Sequence, residues 1–171
     1  MIIYPAIDIM NGRCVRLYKG NFTKCTKYQI SPINVSKKFK QDGSKWLHIV
    51  DLDGAKNPEE RQLNLIKKII KESGLKVQTG GGIRSFEDIE KLIYIGTERI
   101  IIGSLSVKNP NLTKKIIKHF GPDRICLAAD VLKDRNNYKI AVSGWQERSE
   151  INIYDFLSQY HQLGIKHILC T

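Results

Sequence analysis

Four cysteines, Cys14, Cys25, Cys126 and Cys170, lie far apart in the chain, and no two of them form a C-x-x-C pair. That spacing excludes a secreted disulfide framework and carries no zinc signature, so four reduced thiols are expected. The four histidines, His48, His119, His161 and His167, also lack metal-ligand spacing. They read as structural or exposed residues, and their spacing suggests no metal site. No apolar run approaches the roughly 18 residues of a membrane span. The N-terminal MIIYPAIDIM has no basic n-region, carries Asp8 inside its apolar stretch and lacks a small-residue cleavage site, so it does not read as a signal peptide. A cytoplasmic protein without membrane contact is expected.

Acidic residues are scarce too: 17 Asp and Glu stand against 28 Lys and Arg, a formal charge of +11. A basic surface of that size raises the question of nucleic acid. The basic residues, however, sit as scattered pairs such as Lys37-Lys38, Lys67-Lys68 and Lys114-Lys115, without the aromatic interleaving of a base-stacking surface. Lys exceeds Arg by 20 to 8 and Ile exceeds Leu by 25 to 14, the drift of an AT-rich coding sequence. No nucleic-acid partner is expected.

What is present is alternation. The chain is 171 residues long and 42% hydrophobic, enough for one buried core. Apolar runs of strand length cover Ile2 to Asp8, Trp46 to Asp51, Lys76 to Thr79, Arg99 to Gly103, Arg124 to Asp130 and His167 to Thr171. Runs that are apolar at consecutive positions, such as Ile100-Ile101-Ile102, fit strands buried on both faces of a parallel sheet. Between them the spacing predicts helices over residues 35–42, 59–73, from Ser85 to Gly96, from Asn109-Pro110 to Gly121, and over 152–163. Ser85 with Asp88 three positions later is a capping box. Asn11-Gly12 predicts a tight turn, so RCVRLYKG forms a hairpin or an excursion over one end of the sheet.

The strand ends fall at residues 8, 51, 79, 103, 130 and 171, in steps of 43, 28, 24, 27 and 41 residues. The long step recurs after strands one and five, and strands one and five each end in an Asp, 122 residues apart. Two halves of about 120 residues are the duplication of an eight-stranded (β/α)8 TIM barrel. Such a barrel needs roughly 250 residues. Residues 1–171 are therefore expected to be a single incomplete barrel domain, an N-terminal fragment holding strands one to six.

Barrel enzymes place their sites at the C-terminal strand ends. In a closed barrel strands one and five oppose each other, so Asp8 and Asp130 would face across the mouth, one taking a proton and one giving a proton. After strand three comes Thr79-Gly80-Gly81-Gly82-Ile83-Arg84, and after strand four Gly103-Ser104. Glycine lets backbone N–H groups approach a phosphate closely, so Gly81, Gly82, Gly103 and Ser104 are candidates for a phosphate cradle. A duplicated chain would carry a second cradle, and hence take a substrate with a phosphate at each end. Arg84 is either a phosphate clamp or a helix-flanking surface residue. Trp145, in VSGWQE, either stacks on a planar base or anchors its loop. Asp51 is a candidate supporting residue, and Asp53 shapes the turn.

The set PAIDIMNGRCVRLYKG, VDLDGA, TGGGIR, IIIGS, AADV, SGWQE and ILCT resembles the histidine-biosynthesis isomerase family known as HisA, from residue 2 to residue 171. The resemblance implies a duplicated barrel and an Amadori rearrangement, in which a bis-phosphorylated aminoimidazole carboxamide ribonucleotide passes from aminoaldose to aminoketose. It implies Asp8 as proton acceptor, Asp130 as proton donor and Thr171 as a supporting residue of the site. Gly82, Gly103 and Ser104 then align with one phosphate cradle, and the complete enzyme is a monomer without cofactor. Two alternatives stand beside it: the sister cyclase subunit that partners a glutaminase, towards which Lys19 points, and a catalytically silent phosphosugar-binding barrel fragment.

Overall fold

The computed structural model describes residues 1–134, 137–142 and 147–171. The chain divides into two units, Met1–Ile100 and Ile101–Thr171.

In the first unit, β1 (Ala6–Met10) turns at Asn11-Gly12 into β2 (Arg13–Tyr18), followed by β3 (Asn21–Lys27), α1 (Pro32–Gln41) and β4 (Trp46–Asp51). Then come α2 (Leu52–Lys56), a 3-10 turn at Pro58–Glu60, α3 (Leu63–Ser73), β5 (Lys76–Gly80) and α4 (Phe86–Tyr94). β1 pairs in parallel with β4, and β4 with β5. On its other edge β1 pairs antiparallel with β2, and β2 with β3. Asn11 and Gly12 both hold positive φ, 49° and 75°, as a two-residue hairpin turn demands, so the expected hairpin is present. Ile9, Leu47, Ile49, Ile66, Ile69, Val77, Ile89 and Leu92 are fully buried between strands and helices. Val15, Leu17 and Leu52 form a smaller cluster under the hairpin.

β6 (Arg99–Ile102) runs across the division between the units. The second unit continues with α5 (Ser104–Lys108), α6 (Pro110–Phe120), β7 (Ile125–Asp134), β8 (Asn137–Val142), β9 (Glu147–Asn152), α7 (Ile153–His161) and β10 (His167–Cys170). β7 pairs in parallel with β10 through Cys126 to Ala129, then antiparallel with β8 from Asp130 onward. β8 in turn pairs antiparallel with β9. The core here is Ile116, Ile117, Ile125, Leu127, Phe156 and Tyr160. The Tyr160 hydroxyl donates to the Ser106 carbonyl at 2.5 Å, fastening α7 to α5. Burial pushes its pKa up to about 12.

One segment of the first unit is repeated in the second. In each, a strand ending its parallel pairing near an Asp runs into an antiparallel three-strand excursion, then a helix, then a parallel partner strand: β1-β2-β3-α1-β4 and β7-β8-β9-α7-β10. These excursions account for the long steps after strands one and five. Alternating strands and helices with parallel pairing through helical crossovers are the repeating unit of a TIM barrel, the fold class expected.

Several boundaries moved, and the fifth expected strand runs on past Asp130 to Asp134. The first strand begins at Ala6 rather than Ile2, because Pro5 has no N–H to donate to a ladder and Ile2 and Ile3 remain exposed. The helix expected over 59–73 starts only at Leu63, since Arg61 and Gln62 are drawn into contacts described below. α1 starts earlier than expected, with Ser31 capping the Asn34 N–H at 3.1 Å and Pro32 in its first turn.

Candidate active site

Along β1 the side chains alternate, with Ile7 and Ile9 buried on one face and Asp8 on the other. Asp8 stands at the point where β1 pairs with both neighbours, opposite Val50 of β4 and Val15 of β2. Its side chain is only 18% exposed. The guanidinium of Arg16, on the next position of β2, lies 3.9 Å from the carboxylate and is itself 74% exposed. Burial raises the Asp8 pKa above the ordinary carboxylate value, and Arg16 partly offsets that rise. Cys14, across the ladder from Ile9, has its thiol pushed up by burial and by the Asp8 charge.

The hairpin that carries Arg16 is tied to the segment after β4. The Asn11 N–H donates to Asp53 and the Gly12 N–H to the Gln62 side-chain oxygen, both at 2.7 Å. Asp51 is fully buried at the end of β4. One of its oxygens accepts the Gly54 N–H at 3.0 Å, which caps α2, and the other accepts the Gln62 N–H at 2.8 Å. Burial still leaves the Asp51 pKa raised. Asp51 and Asp53 thus build the frame around the site.

Gly81 and Gly82 lie in the loop after β5 with φ of 120° and 66°. A Cβ on Gly81 would collide with the Asp51 carbonyl, and one on Gly82 with the Gly54 carbonyl, so only glycine fits either place. The Arg84 N–H donates to Asp88 at 2.8 Å, while Arg84 itself is exposed at the entry to α4. Ser85 and Asp88 form both bonds of the expected capping box.

In the second unit Gly103 and Ser104 are half-buried where β6 passes into α5, and the Gly103 carbonyl accepts from Ser106. Asp130 sits where β7 leaves β10 and pairs with β8. The Thr171 hydroxyl donates to the Asp130 carboxylate at 2.5 Å, and the Thr171 backbone continues the ladder by accepting the Val131 N–H at 2.8 Å. Asp130 and Thr171, named separately from the sequence, are therefore direct partners. Trp145 lies outside the described residues. Among the described residues no group of His, Cys, Asp and Glu is placed to hold a metal, and no helix is long and apolar enough to cross a membrane. A cavity of about 370 Å³ lined by Tyr154, Leu157, Tyr160, His161, Ile165 and Ile168 contains none of the candidate residues.

Two participants were not anticipated. Arg16 lies next to Val15, the residue that the register sets opposite Asp8, so strand alternation gives it no signal and only the folded hairpin shows its guanidinium beside the carboxylate. Arg61 gave no signal either: in KNPEERQ it looks like one more charge on a helix surface, yet its side chain is only 3% exposed.

Known proteins align with this chain over its whole length. A 1-(5-phosphoribosyl)-5-((5-phosphoribosylamino)methylideneamino) imidazole-4-carboxamide isomerase of Elusimicrobium minutum (strain Pei191) is 48% identical over 171 residues, which are 100% of this chain and 71% of the relative. The protein of the same name from Francisella philomiragia subsp. philomiragia is 45% identical with the same coverage. That of Idiomarina loihiensis is 43% identical over 99% of this chain and 70% of its own length. The family model described as "Histidine biosynthesis protein" matches residues 2–171. By both measures the chain belongs to this histidine-biosynthesis family of barrel proteins.

Proposed function

We propose that the protein is an intramolecular isomerase that carries out the Amadori rearrangement of the bis-phosphorylated aminoimidazole carboxamide ribonucleotide named in its relatives, with Asp8 and Asp130 as its acid-base pair. The observation that carries this reading is the 48% identity to a named isomerase along the entire chain. It is supported by the two carboxylates standing at corresponding places in the two repeated segments, each within a residue of the end of a parallel pairing.

Asp130 delivers a proton to the ring oxygen of the aminoaldose, the C1–O bond breaks, and an iminium forms at C1. Asp8 then removes the C2 proton, and the electron pair of that C–H bond neutralises the iminium to an enolamine. Protonation at C1 with loss of the C2 hydroxyl proton then yields the aminoketose, so that protons balance over the rearrangement. A base is stronger when its pKa is raised and useful only while ionised. Burial supplies the first condition at Asp8 and Arg16 the second. The hydroxyl of Thr171 orients the Asp130 carboxyl group. Gly81 and Gly82 after β5, and Gly103 and Ser104 after β6, are the candidates for phosphate binding through backbone N–H groups, and Arg84 is a further candidate anion contact.

The test is turnover of the aminoaldose by the full chain. Asp8→Asn keeps the shape and loses the base, so binding is expected to survive while the rate falls by about 10²–10⁴, the usual worth of a positioned acid or base. Wild-type turnover in that variant sinks the assignment of Asp8.

A further inference from the structure

We propose that Arg61 is the positioning residue of the anion cradle, gripping the glycine loop from behind so that its peptide N–H groups face the ligand; the proposal rests on the phosphosugar reading above and deepens it. Arg61 is not itself among the residues assigned to the substrate; it acts through two that are, Gly81 and Gly82. It lies between the 3-10 turn and α3, buried, with its guanidinium under residues 81–82. Nη1 donates to the Gly81 carbonyl at 2.5 Å and Nη2 to the Gly82 carbonyl at 3.0 Å.

In a trans peptide the carbonyl and the following N–H point in opposite directions. Holding the carbonyls of Gly81 and Gly82 on the guanidinium therefore turns the N–H groups of Gly82 and Ile83 to the other side of the loop. The same loop is pressed against the backbone of Asp51 and Gly54, closely enough to exclude any Cβ. One side is thus occupied by protein and the other presents donors.

The charge of Arg61 is spent inside the frame. Nη2 lies 3.5 Å from Asp88, whose second oxygen accepts the N–H groups of Arg84 and Ser85, and the buried Asp51 feels Arg61 as well. With two carboxylates beside it, Arg61 attracts an anion little by charge. Its contribution is orientation, which needs a planar fork that reaches two carbonyls at once. An ammonium is a point charge and reproduces the charge without the fork. The neighbouring Gln62 holds the Gly12 turn by separate bonds, so the Asp8 hairpin has its own anchors.

The experiment is an amide NMR titration of the full chain with ribose 5-phosphate, with ribose as the control, in wild type, Arg61→Lys and Arg61→Met. In wild type the Gly82 and Ile83 resonances are expected to move with ribose 5-phosphate and not with ribose. Both variants should bind it about tenfold more weakly, while the Asn11 and Gly12 resonances stay in place. In turnover, Arg61→Lys should raise KM about tenfold with kcat within about threefold, the pattern of lost uniform binding. Wild-type affinity in Arg61→Lys, unmoved Gly82 and Ile83 resonances in wild type, or displacement of the Asn11 and Gly12 resonances in both variants each overturns the proposal. A wild-type chain that binds ribose 5-phosphate at Gly82 but forms no aminoketose overturns the isomerase reading instead and leaves the role of Arg61 standing.

Discussion

At Asp8 two opposing influences meet, and exposure decides between them. The carboxylate is mostly buried, whereas Arg16 at 3.9 Å is largely in water, where solvent and salt weaken its attraction. Burial wins, and the pKa is raised. Removing the cation must raise it further, so Asp8 in Arg16→Gln stays protonated to higher pH. The acid limb of kcat/KM against pH, which reports the free enzyme, is expected to move upward in that variant. A limb that stays in place or moves down shows that Arg16 does not tune the base. Asp8 and Asp130 could be singled out from the sequence because each polar residue interrupts an apolar run at a strand end. Arg16 and Arg61 could not be singled out in that way, because an arginine among other charges is marked only by what it touches across the fold.

Among the elements, those with a buried face or a cap were legible. α4 is an example: Ser85 accepts the Asp88 N–H at 3.2 Å, and Asp88 accepts the Ser85 N–H at 3.1 Å. Ser85→Ala removes one of the two bonds and is expected to cost about 1 kcal/mol of stability, read from denaturant unfolding. An unchanged midpoint would show that Asp88 holds the helix start without it. β3 is the opposite case. In NFTKCTK only Cys25 is even partly buried, so the strand has no period-2 apolar pattern to announce it. It exists because β2 offers a free edge, a condition no local propensity expresses. β8 and β9 follow the same logic along the far half of β7, with Ile140, Ala141 and Val142 buried and Tyr138 exposed. Their presence was visible beforehand only as an unusually long step.

For the molecule as a whole the formal charge of +11 remains, and part of it is concentrated: β2 and β3 with their turn carry Arg13, Arg16, Lys19, Lys24 and Lys27 and no acidic residue. Lys19 and Lys24 both lie over the Tyr18 ring, within 6 Å of its centroid. A bis-phosphorylated substrate would be drawn towards such a field, and salt would screen it. Raising NaCl from about 20 to 300 mM is therefore expected to lower kcat/KM several-fold with little change in kcat. Equal loss in both would indicate damage to the catalytic step and not to encounter. The sequence by itself determined the alternation of strands and helices, the spacing that betrays the internal repeat, the two carboxylates and the glycine loops, because hydrophobic period, caps and breakers act within a few residues. Only the tertiary structure decided which strands join as antiparallel excursions, that Thr171 holds Asp130, that Arg16 reaches Asp8 and that a buried Arg61 turns the glycine loop. The three side-chain meetings join groups between 8 and 41 positions apart in the chain, and they follow from register and packing, which no local pattern encodes.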